Sequence, residues 1–178
     1  AASKNMLYDP SPSGNREARE AVVHYYRSRN ITVSPEQIFL CASTSEAYTF
    51  LFRLLADPKE RVLFPRPSYP LFEFLVGLND IRMDTYALGY DRGIRRDEDE
   101  WFIDLKSLEA EVQSNTKAVV LVNPNNPTGS YVKNDELKAL NKICSENHIA
   151  LISDEVFYDY GFEPRTDRIS LAENKKVL

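Results

Sequence analysis

Five consecutive apolar residues, Ala118-Val119-Val120-Leu121-Val122, run straight into the stiff polar segment Asn123-Pro124-Asn125-Asn126-Pro127-Thr128-Gly129. A strand with one wet face alternates apolar and polar side chains. This one is apolar on both faces, so both must be covered. Further apolar runs recur at Gln37 to Ala42, Arg61 to Phe64 and Ile149 to Ile152, with helical spacings between them. Strands alternating with helices predict an α/β fold, a mostly parallel sheet with helices on both faces.

The spacing predicts a helix over Gly14 to Arg29 with Ala18, Ala21, Val22, Tyr25 and Tyr26 on one face. A second helix follows Ser43-Thr44-Ser45, with Ala47, Phe50, Leu51, Leu54 and Leu55 as its apolar positions and Asp57-Pro58 as its end. Leu71 to Leu78 reads as a helix and Ile81 to Tyr86 as a strand. The charged, aperiodic stretch Gly89 to Glu100 reads as a surface loop. Asp104 caps a helix with Leu105, Leu108 and Val112 inward, and Asn134 opens one with Leu137, Leu140 and Ile143 inward. Lys176-Val177-Leu178 has the look of one more strand beginning, and the chain's lack of an initiator Met fits a start inside a longer gene product.

A net charge of −5 over 178 residues argues against nucleic acid, whose phosphates need a basic surface. Cys41 and Cys144 sit in apolar stretches and read as two buried free thiols in a reducing, cytoplasmic setting rather than a disulfide. With two histidines and neither HExxH nor CxxC, no metal site is expected. No apolar run is long enough to span a bilayer.

Ligands of open parallel sheets collect at the carboxyl ends of strands, and three segments fall there. Ser43-Thr44-Ser45 opens a helix, where free N–H groups suit a phosphate, or where one hydroxyl simply caps. Asn123 to Gly129 is composed of turn residues, yet two prolines stiffen it enough to aim side chains. Asp154, in Ser153-Asp154-Glu155, follows a buried strand and suits a ligand site or a helix cap equally.

Together GNREAREAV, PRPSYPLFE, NPNNPTG and SDEVFYDY, in this order and spacing, resemble the class I/II aminotransferases, pyridoxal-phosphate-dependent enzymes of fold type I. The resemblance covers nearly the whole chain. It implies a partial pyridoxal-phosphate-binding large domain over residues 1–178, a homodimer, amino acid and 2-oxo acid substrates, and pyridoxal 5'-phosphate as cofactor. It implies that Asp154 pairs with the pyridine nitrogen, that Asn126 donates to the ring hydroxylate, that Tyr69 stacks on the ring, and that Ser43, Thr44 and Ser45 hold the phosphate. Tyr8 matches a tyrosine that reaches the phosphate of the neighbouring subunit. Arg16 and Arg19 read as a solvated face.

Two departures accompany the resemblance. The family's tyrosine three residues after the ring-pairing aspartate is here Phe157, which cannot donate a hydrogen bond, and Tyr158 beside it points elsewhere. The lysine that forms the family's Schiff base follows a further strand, beyond Leu178. Lys175 and Lys176 precede that strand and are not read as that lysine. No catalytic residue is therefore assigned within the chain, which by itself is expected to be inactive and to bind the cofactor weakly. The family's first strand, here Gln37 to Cys41, pairs with a strand outside this chain. Its orphaned ladder groups imply an isolated monomer that is not stable. The alternatives are other fold-type I chemistries (a C–S lyase, a decarboxylase, a cyclopropane-forming lyase like ACC synthase), a non-catalytic ligand-binding domain of a regulator, and a generic doubly wound domain binding another phosphate.

Overall fold

A computed structural model describes residues 10–92, 99–161 and 169–174. Helix α1 (Arg16–Arg27) is capped by Asn15, whose side chain accepts from the Ala18 N–H at 3.1 Å. Helix α2 (Thr44–Leu55), strand β1 (Arg61–Arg66), helix α3 (Phe72–Leu78) and strand β2 (Arg82–Arg92) follow. Then come β3 (Asp99–Ile103), α4 (Leu105–Glu111), β4 (Thr116–Val122), α5 (Asn134–Asn147) and β5 (Ala150–Asp154). Asp104 does cap α4, accepting from Lys106 N and Ser107 N at 3.1 Å each. Among the described residues no helix is long and apolar enough to cross a membrane.

Among the described residues five strands form one sheet in the order β3-β2-β1-β4-β5, parallel except for the antiparallel β2–β3 pair. Alternation along the strands splits the core into two layers. Val62, Phe64, Ala118, Val120, Val122, Ala150 and Ile152 face α2 and α3. Leu63, Val119 and Leu121 face α4 and α5 with Leu108, Leu140 and Ile143. β4, as its composition required, is buried on both sides.

Several expectations need correction. Gln37 to Ala42 is not a strand: Pro35–Gln37 is a short 3-10 turn and the rest is irregular. Phe39 is 72% exposed, and the N–H groups of Ile38, Leu40 and Ala42 donate to Pro35 O, Ser13 O and the Glu46 carboxylate, so the penalty foreseen for buried orphans is not seen for these groups. The stretch from Gly89 to Glu100 is not simply a loop, because Gly89–Arg92 and Asp99–Glu100 continue β2 and β3 into a hairpin. A Cβ at Gly89 would lie 2.3 Å from the tip of the Phe102 ring opposite, so a larger residue there would make that ring shift.

The buried stripe of α1 is turned by about one residue from the expected one: Val23 is buried while Ala18 and Ala21 are exposed. On α2 the buried residues are Tyr48 and Phe52, and Phe50 and Leu54 point outward. Arg19 is not a free surface charge, for it donates to Pro35 O at 2.7 Å and Gly14 O at 3.2 Å, holding α1 to the chain behind it. Tyr8, Lys175, Lys176 and the expected last strand lie outside the described residues.

Cys144 is buried on α5, but Cys41 is exposed, so only one of the two buried thiols expected is found; both are free. Burial pushes the Cys144 thiol up to about 11. Thiolate is the reactive form. An aromatic disulfide reagent at mildly alkaline pH is therefore expected to modify Cys41 rapidly and Cys144 only after denaturation; two fast equivalents of released thiolate in the folded chain would contradict this placement.

Candidate active site

The strand order reverses between β1 and β4, with β2 on one side and β5 on the other. Such a switch point opens a crevice at the carboxyl ends of the strands. A cleft of about 180 Å³ lies there. Tyr69 enters it from the chain after β1, Asn126 from the segment after β4, Asp154 and Phe157 from the end of β5, and Thr44, Ser45 and Tyr48 from α2.

Asp154 has the same strand parity as Ala150 and Ile152, so its carboxylate points to the α2 side. It is half-buried. Its Oδ2 accepts from the Tyr48 hydroxyl at 2.9 Å and its Oδ1 from Val156 N at 3.0 Å. Glu155, one residue on, turns away. It accepts from Ser153 Oγ, Ser170 Oγ and Leu171 N, which ties the 169–174 segment to β5.

The Asn123 to Gly129 segment is braced at several points. Asn123 is fully buried, accepts from Val132 N at 3.0 Å and donates to Ile169 O at 2.7 Å. Its N–H donates to Asp154 O at 2.8 Å, joining this segment to β5. The Asn125 amide donates to Pro67 O and Thr128 Oγ1, joining it to the chain after β1. The peptide bonds preceding Pro67, Pro124 and Pro127 are cis. Asn126 is left half-buried at the cleft. The Tyr131 hydroxyl donates to Tyr158 O at 3.0 Å and their rings meet edge to face, so Tyr158 packs on Tyr131 rather than lining the cleft.

At the α2 end the three hydroxyl residues divide their work. Ser43 caps the helix, its side chain accepting from Glu46 N at 3.2 Å, and does not line the cleft. Thr44 and Ser45 do line it, and as first-turn residues their N–H groups have no partner inside the helix. Tyr69 is 46% exposed, its ring edge-on to Phe72 at 6.0 Å. The cleft thus presents one carboxylate, an aromatic wall and a helix N-terminus. A flat ring with a basic nitrogen and a phosphate fits this donor and acceptor set. Of the residues singled out from sequence, the structure gathers Thr44, Ser45, Tyr69, Asn126 and Asp154 in one cleft. Tyr48 escaped the sequence reading, although it lies one helical turn after Thr44 and therefore on the same face.

The sequence pattern of the family "Aminotransferase class I and II" matches residues 1–178. The chain belongs to this aminotransferase family. Among curated relatives, the S-alkyl-thiohydroximate lyase SUR1 of Arabidopsis thaliana is 34% identical over 157 residues, covering 88% of this chain and 32% of the relative. The aspartate aminotransferase of Bacillus subtilis is 30% identical over 175 residues, covering 95% and 42%. The structure of an alanine aminotransferase from Pyrococcus furiosus superposes with a TM-score of 0.81 at 28% identity, over 95% of this chain and 41% of that one. Cystalysin of Treponema denticola, whose structure contains pyridoxal 5'-phosphate, shares the fold with a TM-score of 0.81 at 21% identity, over 97% and 42%. This aminotransferase-family chain spans 32% of the length of the SUR1 lyase and 42% of that of the Bacillus subtilis aspartate aminotransferase.

Proposed function

We propose that residues 1–178 form the cofactor-binding part of the large domain of a pyridoxal-phosphate-dependent aminotransferase, which transfers an amino group from an amino acid to a 2-oxo acid. The supporting observation is the convergence of Asp154, Asn126, Tyr69, Thr44 and Ser45 on one cleft at the switch point. Asp154 would hold a proton on the pyridine nitrogen, Asn126 would donate to the ring oxygen, Tyr69 would cover a ring face, and the α2 N-terminus with Thr44 and Ser45 would hold the phosphate. Bound pyridoxal phosphate supplies a cationic, electron-withdrawing ring that stabilises negative charge on the substrate's α-carbon. The chain's own task is binding, orientation and proton retention at that nitrogen. Homodimer formation is supported by Phe50 and Leu54 on α2 and Phe74 and Leu78 on α3, which are 57 to 79% exposed. The free thiols Cys41 and Cys144 fit a cytoplasmic protein.

A second reading, carbon–sulfur bond cleavage on the same cofactor, draws support from the named lyase among the relatives. For the protein containing this chain, keto acid formation that requires an added 2-oxo acid supports transfer; release from a cysteine conjugate without one supports the lyase.

For the chain itself the test is titration with pyridoxamine phosphate, which lacks the aldehyde and so reports the non-covalent site alone. Saturable binding with one equivalent per chain is expected. An absence of binding at millimolar ligand would sink the cofactor reading.

A further inference from the structure

Tyr48 is 5% exposed and held in an aromatic cage, with the Phe52 ring at 5.6 Å and the Phe72 ring edge-on at 5.2 Å. A buried tyrosine hydroxyl needs a partner, and a core carbonyl would have served. Its partner is instead Oδ2 of Asp154, the carboxylate that lines the cleft, and Tyr48 lines the cleft as well. The second carboxylate oxygen is held by Val156 N. With one donor on each oxygen, the carboxylate plane is fixed from two sides while each oxygen keeps a further lone pair.

We infer that Tyr48 is a positioning residue: its hydroxyl fixes and aims the Asp154 carboxylate, so that one of its oxygens meets the ring nitrogen of a pyridoxal-type cofactor. This rests on the cofactor reading above. The hydroxyl acts in one direction only, because burial, and then the Asp154 charge and hydrogen bond, push the Tyr48 phenol far above the usual tyrosine range. It stays protonated and can only donate to Asp154. With Tyr48 and Val156 each donating to one oxygen, the carboxylate turns its remaining lone pairs to the cleft, where a ring N–H would meet them. Phe157, at the same cleft, has no hydroxyl to supply such a bond.

Tyr48→Phe removes the hydroxyl and keeps the ring in its cage. Pyridoxamine phosphate is the probe, with affinity and the pH titration of its isotopically labelled ring nitrogen as readouts, in wild type, Tyr48→Phe, Asp154→Asn and the double variant. Tyr48→Phe is expected to weaken binding about tenfold, the size of one hydrogen bond to an ionised group, and to lower the pH at which the bound ring nitrogen loses its proton. In the Asp154→Asn background the same change is expected to have no effect. Binding within twofold of wild type, or an equal loss in both backgrounds as a merely structural residue would give, overturns the inference while leaving the cofactor reading intact. Wild-type chain that binds nothing overturns both.

Discussion

Asp154→Asn is expected to weaken pyridoxamine phosphate binding on the order of a hundredfold, about 2–3 kcal/mol, the worth of a charge-assisted hydrogen bond in a partly shielded site. Asparagine has almost the same shape. Its oxygen can still accept from Val156 N, so the end of β5 keeps its bond. What is lost is the negative charge facing the cleft. The paired control is Asn126→Ala, which removes a neutral amide from the same cleft and is expected to cost closer to tenfold. Calorimetric titration of the three proteins decides it. An Asp154→Asn affinity within threefold of wild type would show that the carboxylate does not carry the ligand.

Phe52→Ala is expected to lower folding stability by about 3–5 kcal/mol, the usual loss on emptying a buried aromatic position. Phe52 is fully buried between Tyr48 and Phe64, with ring centroids at 5.6 and 6.0 Å. The cavity would open beneath Tyr48, so the Asp154 carboxylate would lose part of its support and ligand affinity would fall with stability. Measured on the monomer, below the concentration at which copies associate, Leu54→Ala, two residues along the same helix but 79% exposed, is expected to stay within about 0.5 kcal/mol of wild type. Urea unfolding followed by Trp101 fluorescence separates the two. Equal midpoints for the two variants would mean that α2 does not pack on the sheet through Phe52.

The contrast between these residues also marks where sequence reading stops. Composition alone could place β4 in the interior, because no arrangement with a wet face tolerates Ala118 to Val122. Asp104 was equally legible, since its capping bonds are local. Helix α2 was found, but its apolar residues surround most of the cylinder, so hydropathy could not choose between the stripe with Phe50 and Leu54 and the one with Tyr48 and Phe52. The choice is made by the sheet, which lies far away in sequence. Gln37 to Ala42 is a case of composition suggesting a strand where no neighbouring strand is described to complete its ladder. The β2–β3 pair failed for the opposite reason: its charges disguise a ladder in which Gly89 sits opposite Phe102. At the cleft, Asp154, Asn126 and Tyr69 stood out through their motifs. Tyr48 did not, because its role exists only once α2 is laid across the end of β5.

The pairing of Val122 with Asp154, sealed by Asn123 N donating to Asp154 O, has a practical corollary. A slip of one residue between β4 and β5 would swing every side chain of β5 to the opposite face. Asp154 would then be pointing toward the α4–α5 layer, out of reach of Tyr48. Ligand binding by this chain is thus a gauge of strand registry: molecules that are compact and helical but misaligned would look folded by circular dichroism and remain silent in a binding titration.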